Sequence, residues 1–324
     1  MATRAATVPR LALGRRRIAD RFGDAALYGL TGAAAVSAVV LVGALAYELV
    51  KQAWPAISHF GLSFVWESAW DPVKSEFGAL DFIYGTVLTS LVALVIAAPL
   101  SIAIALFLSE LAPRGIRAVV GTLVEMLAAI PSVVVGLWGI FVLAPFLKEH
   151  VNPFLHEHLG FIPLFGGDPS NGNNYFTASL VLTIMVIPIT ASISRELFLG
   201  VPSDLEEGAL ALGMTRWEMI KGVVLPYTRG GVAAAVILGL GRAVGEAIAV
   251  TQVIGGTLGI HASLFAGGDT LASRIAAQYQ GAASALQVSS LVYLALILLV
   301  ISLVVNLLAQ LIVKRFEFQR VGGD

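Results

Sequence analysis

Cysteine is absent from the 324 residues, so disulfides and thiolate metal sites have no part in this protein. Charge is scarce as well: Asp, Glu, Lys and Arg make up 13% of the chain, against about 25% in ordinary soluble domains. Apolar residues supply 57%, a balance that excludes a soluble class and makes the bilayer the expected solvent. A net charge of -1 offers no basic footprint, and no nucleic-acid partner is expected. No Gly-x-x-x-x-Gly-Lys-Ser/Thr phosphate loop occurs, so the chain lacks an ATP-hydrolysing site of that kind. A cleaved leader is not expected either. Arg4, Arg10, Arg15, Arg16, Arg17 and Arg21 precede an apolar run over 25–50 that has the length of a membrane span and lacks a small-residue cleavage site.

What is present is a series of such runs. Five more cover 82–111, 119–147, 176–199, 224–254 and 288–313, which predicts an all-α integral membrane protein with six transmembrane helices. Fifteen of the twenty Lys and Arg fall on the side of the N-terminus, so the positive-inside rule predicts that both termini are cytoplasmic. The expected organisation is a basic N-terminus over 1–24, a first helix over 25–50, an external interfacial segment over 51–81, a five-helix core over 82–313 and a cytoplasmic C-terminus over 314–324. Trp54, Trp66 and Trp70 cluster in the external segment, as interfacial belt residues do. His150, His156 and His158 follow the third span, but His156 and His158 would lie about 200° apart on a helix, so a solvated loop is expected and no metal. Pro131 and Pro188 are expected to kink their helices.

Between the fourth and fifth runs, residues 201–226 form a patterned cytoplasmic loop. Ser203 with Glu206 reads as a capping box, and Leu205, Ala209 and Leu212 share one face of a short amphipathic helix. Gly213 is placed to end that helix in a left-handed turn. Thr215 and Glu218 read as a second cap, so a second short helix is expected to leave at an angle. Glu207-Gly208-Ala209, then Gly213, then Val223-Val224-Leu225-Pro226 resembles the coupling loop of ABC importer permeases in its spacing, with Gly208 in place of an alanine and Val223 in place of an isoleucine. In that family the loop docks on a separate ATP-hydrolysing subunit.

The fifth run carries Arg242 deep in the bilayer, where a charge costs at least about 2.5–3.5 kcal/mol. Glu246, four residues on, is placed to pair with it on one helical face. Gly239, Gly241 and Gly245 leave room for a neighbouring helix. A structural ion pair is one reading; an anion pathway is the other, because guanidinium presents a permanently charged planar fork to oxyanions. Arg195-Glu196 at the cytoplasmic end of the fourth run forms a second charge pair, as an anchor or as part of the exit.

Gly241-Arg242-Ala243-Val244-Gly245-Glu246, with Ala249-Val250-Thr251 and Val253-Ile254-Gly255, resembles the PstC-type permeases of phosphate-specific ABC importers. Pro99-Leu100-Ser101-Ile102-Ala103, Leu108-Ser109-Glu110-Leu111-Ala112-Pro113 and Ala129-Ile130-Pro131-Ser132 agree. The resemblance implies the type I importer permease fold with a cytoplasmic coupling helix. It also implies a bacterial inner-membrane location, a PstA-type sister permease, a PstB-type ATPase dimer that uses ATP and Mg, and a PstS-type phosphate-binding protein. No cofactor is expected on this chain itself. Arg242, Glu246 and Arg195 become expected pathway residues, and Ser203, Glu206, Glu207, Gly208, Ala209, Gly213, Leu225 and Pro226 expected coupling residues. Permeases for sulfate or molybdate share the architecture. A secondary transporter would usually show two repeated halves, and none stand out; a phosphate sensor would need no intramembrane Arg and Glu.

Overall fold

The computed structural model describes residues 13–321; Arg4 and Arg10 of the basic N-terminus lie outside the described residues. Within these, six helical segments are long and apolar enough to cross a membrane: Gly23–Val65, Leu80–Leu111, Ser132–Leu159, Tyr175–Leu199, Arg216–Gly245 and Ala285–Leu308. The number agrees with the six hydrophobic runs, while the first extends to Val65 and the boundaries of the third and fifth are shifted. The chain divides into two units, residues 1–51 and 52–324. The first is helical over the whole 25–50 run, and most of its apolar side chains, such as Leu30, Val39 and Leu41, are exposed, with Ala46 and Leu49 half-buried. A helix that is apolar all round and uncovered suits lipid.

Helix α1, Leu13–Phe60, ends in a 3-10 turn, Gly61–Val65, so it continues beyond the expected first helix over 25–50 into the segment 51–81. A two-residue hairpin follows, β1 (Trp70–Asp71) against antiparallel β2 (Glu76–Phe77), with Trp70 opposite Phe77. The core then runs α2 (Leu80–Leu106), α3 (Arg114–Ala128), α4 (Ser132–Trp138), α5 (Ala144–Phe146), α6 (Asn152–Leu159), α7 (Tyr175–Leu199), α8 (Ser203–Ala211), α9 (Arg216–Met219), α10 (Leu225–Gly245), α11 (Ile248–Val253), α12 (Leu271–Gln278) and α13 (Ala285–Val321). The expected kink at Pro131 is a complete break. Pro131 stands outside α4 at ψ 138, so 119–128 belongs to the separate amphipathic α3 and the third span begins at Ser132. Helix α7 instead continues through Pro188.

Helices α2 and α7 form the centre. Ala93, Ala97 and Ala178 are fully buried where the two approach, and small side chains permit that proximity. Four of their buried hydroxyls are satisfied locally: Thr86, Thr89, Ser179 and Thr183 donate to the carbonyls of Phe82, Gly85, Tyr175 and Ser179 at 2.7–2.8 Å, whereas those of Ser90, Thr190 and Ser194 have no partner among the described residues. A bond to the helix's own backbone lowers the cost of burying a polar side chain. Asn174 starts α7 by accepting the Thr177 N–H at 2.9 Å.

Candidate functional site

Residues 201–226 form a knuckle whose two halves differ from expectation in instructive ways. Ser203 is the first residue of α8 and makes no capping bond; Pro202 occupies the cap position, so the Ser203–Glu206 capping box does not form. Proline's fixed φ and missing N–H suit a helix start without a side-chain cap. The second cap does form: Thr215 Oγ1 accepts the Glu218 N–H at 3.3 Å, and Glu218 Oε2 accepts the Thr215 N–H at 2.8 Å. Gly213 ends α8 at φ +88. Its N–H reaches the Leu210 carbonyl at 3.0 Å and that of Met214 reaches Ala209 at 3.2 Å, the paired bonds of a Schellman turn.

The helix that starts at Thr215 is not short. It runs unbroken through α9, a π turn over Ile220–Val224, and α10, so the second arm of the knuckle is the foot of the fifth span. The π turn precedes Pro226, which cannot donate an intrahelical bond, and the Leu225 N–H accordingly reaches back to the Ile220 carbonyl. Only Ala209 of α8 is buried, against Phe198, Met219, Ile220 and Val224. Leu205 and Leu212, expected to share one face with Ala209, are exposed, Leu212 at 83%, and Met214 and Trp217 are exposed beside them. Glu207 and Gly208 are exposed too, and Glu206 is half-buried. Burial, reinforced by Glu110 and Glu207, pushes the Glu206 carboxyl up.

The intramembrane pair is also arranged differently. Helix α10 stops at Gly245, and Glu246 has extended backbone, φ -74 and ψ 119. An i,i+4 pair requires a continuous helix, and among the described residues no ion pair joins Arg242 to Glu246. Glu246 Oε1 instead accepts the Ala249 N–H at 3.2 Å and caps α11. Arg242 occupies the last turn of α10, where the helix dipole favours a cation, and its side chain is exposed. Packing fixes the depth: a Cβ at Gly239 would lie 2.6–2.7 Å from Thr190 and Val186, in the middle of α7, and Arg242 is one turn further out. Gly241 and Gly245 face open space. Arg195 makes the expected contact with Glu196, 3.3 Å, and an unexpected one with Glu125 of α3, 3.5 Å.

Sequence reasoning missed the outer polar cluster. Arg274 falls between the fifth and sixth hydrophobic runs, where the sequence suggests an external loop cation, yet its side chain is 8% exposed and its Nε lies 2.8 Å from Asp269 Oδ2. Its guanidinium stands 4.8 Å from the centre of the Phe82 ring. Asp269 also accepts the Thr270 N–H at 2.9 Å and the Ser273 hydroxyl. Nearby, buried Asp81 accepts the Gly259 N–H at 2.6 Å. Burial pushes the Asp269 carboxyl up against the opposing pull of Arg274, and pushes the Arg274 guanidinium down. Trp70, expected in the interfacial belt with Trp54 and Trp66, is buried here and donates to Gln278 Oε1 at 2.8 Å; the other two are exposed. No local spacing marks this cluster, since its members are up to 208 residues apart. Of the three histidines, His156 and His158 lie on α6, their Nδ1 atoms near the carbonyls of Phe165 and Phe154.

Comparison with known proteins places the chain. Residues 97–318 match the family described as binding-protein-dependent transport system inner membrane component. A Mesorhizobium japonicum protein named phosphate transport system permease protein PstC is 44% identical over 97% of this chain and 94% of its own length. The protein of the same name from Pasteurella multocida is 46% identical over 87% and 89%. Among solved structures, a bacterial alginate ABC transporter component in complex with its periplasmic protein superposes with a TM-score of 0.55 at 20% identity, covering 90% of this chain and 98% of that one, a likeness of fold. With six spans, a capped knuckle before the fifth and these relatives along nearly its full length, the chain belongs to the inner-membrane permeases of binding-protein-dependent transport, among the PstC-type members.

Proposed function

We propose that this chain is one permease half of an ATP-driven importer and forms the path of inorganic phosphate across the bacterial inner membrane together with a PstA-type sister. The observation that carries the reading is Arg242, exposed within this chain at a helix break in the middle of the membrane. A cation at that depth without an ion-pair partner among the described residues is a functional feature by default, and a guanidinium suits a phosphate oxyanion. Glu246, turned away to cap α11, limits the retention of the anion from one step along the backbone rather than by pairing with Arg242. Arg195 lies at the cytoplasmic end, held by two carboxylates. Both termini are cytoplasmic, which puts the knuckle on the side of ATP.

The chain itself binds no cofactor. ATP and Mg belong to a PstB-type ATPase dimer, which receives the exposed Leu205, Leu212, Met214 and Trp217 of the knuckle, while a PstS-type protein delivers phosphate to the outer face. Uptake of labelled phosphate by vesicles carrying all four components tests the reading. Arg242→Gln is expected to lower uptake at least tenfold at equal assembly, with ATP required throughout. Uptake that survives the substitution, or that sulfate or molybdate blocks in place of phosphate and arsenate, overturns it.

A further inference from the structure

The outer polar cluster borders a cavity of about 300 Å³ lined by Asn173, Thr251, Gln252, Gly255, Asp269 and Arg274. At ~30 Å³ for each liquid water, that volume admits a partly hydrated oxyanion. Arg274 is 7% exposed as a residue; its Nε stands in ion-pair contact with Asp269 at 2.8 Å, and neither Nε nor Nη2 has a hydrogen-bond partner among the described residues. Gln252, also on the lining, has its Oε1 buried beside Gly136 without a partner among the described residues. Buried polar atoms left unsatisfied are unusual and need a physical account. Thr251 and Gln252 of the cavity wall belong to α11, which begins at Ile248 just past the break that follows Arg242 and Gly245.

We propose that this cavity is an outer stop for inorganic phosphate, with Arg274 as the donor to its charged oxygens and Asp269 as the acceptor of its hydroxyl hydrogen. The proposal rests on the reading of the chain as a phosphate permease. Two features of the charge distribution favour this role over tight capture. Asp269 and the nearby Asp81 together offset Arg274, so an anion is held weakly, as a site on a conducting path requires. A carboxylate within the site accepts a hydrogen from a protonated oxyanion and repels one that has none. Phosphate carries a hydrogen at neutral pH and sulfate does not, so the cavity separates the two.

Because the chain has no cysteine, a single Ala277→Cys on the exposed rim of the cavity supplies a unique reporter in this subunit. The importer is assembled in vesicles with cysteine-free partner subunits, and labelling by a small charged thiol reagent from the outer face is timed. Inorganic phosphate at millimolar concentration is expected to slow labelling at least threefold, with no effect of sulfate at equal ionic strength. Arg274→Gln is expected to abolish protection while changing the rate without phosphate less than twofold, and Arg274→Lys to keep part of it. Asp269→Asn covers the case in which Arg274→Gln does not assemble: the guanidinium remains, the negative charge is gone, and phosphate and sulfate should then protect alike. Equal protection by both anions in the parent protein, or protection that persists in Arg274→Gln, overturns the site. Absent protection combined with phosphate uptake that still depends on Arg242 overturns this proposal and leaves the importer reading standing, whereas protection by sulfate or molybdate in place of phosphate overturns both.

Discussion

The knuckle end of the core and the opposite end, at α12, are held together in contrasting ways. In the knuckle, the bonds that define the shape are local: Thr215 with Glu218, Gly213 with Leu210, and Met214 with Ala209 are all within five residues. The outer segment between α11 and α13 is held by bonds between distant parts of the chain. The Leu271 N–H reaches Thr86 over 185 residues, Gly259 reaches Asp81 over 178, and the Tyr84 hydroxyl reaches the His261 carbonyl over 177. The inner end leaves Leu212 and Trp217 uncovered, and the outer end buries even its ions. One end is thus a surface set by a few turns of chain, and the other is a closed interior that exists only when the fold is complete.

The comparison breaks most visibly at glycine. A Cβ on Gly268 would stand 1.9 Å from Tyr175 Cζ and 2.0 Å from its hydroxyl, and Tyr175 is fully buried with no space to swing into. Gly268→Ala is therefore expected to lower stability by about 1–3 kcal/mol or more, through overpacking. The thermal transition of the detergent-solubilised complex should fall and the yield of assembled protein with it. Leu212→Ala, at an 83% exposed position, is expected to leave the transition unchanged. A Gly268→Ala protein as stable as its parent would show that the outer end is not closely packed.

The same contrast explains what the sequence made legible. Six spans, the turn at Gly213 and the cap at Thr215 depend on composition or on residues a few positions apart, and such signals survive in one dimension. The Ser203–Glu206 box has the right spacing but lost the cap position to Pro202, a competition between neighbours that spacing does not register. Arg242 and Glu246 also have a helical spacing, and the backbone turn at Glu246 removed the helix that would have made it meaningful. The break at Pro131 moved a whole segment, α3, out of the third span, because a kink and a break share one residue signal. Asp81, Asp269 and Arg274 had no signal at all: each looks like an ordinary loop charge until α2 and α12 are brought together.

The two ends call for different probes. Burial pushes the Asp269 carboxyl up, so its contribution is present at low pH and lost as pH rises through the raised value. Hydrogen exchange at 269–274, corrected for intrinsic rates, is therefore expected to show no loss of protection from that carboxyl on acidification. At the knuckle the cap is the test: Thr215→Ala should speed exchange at 215–219 at neutral pH, at a local cost of about 0.5–2 kcal/mol. Unchanged exchange there would mean that the knuckle is not governed by its cap.

The smallest expected effect is a gain, and it asks what Gly208 is for. Glycine inside a helix costs roughly 0.5–1 kcal/mol relative to alanine, and a Cβ at Gly208 would meet nothing within 4 Å. Gly208→Ala, which restores the residue of the coupling-loop pattern, should therefore strengthen α8 and slow its hydrogen exchange by about two- to fivefold. If uptake per ATP is unchanged or higher, the glycine is a tolerated weakness in an otherwise conventional coupling helix. If α8 becomes more protected while uptake falls, the missing Cβ is a contact requirement of the docked partner, and the open space at Gly208 belongs to the interface rather than to solvent.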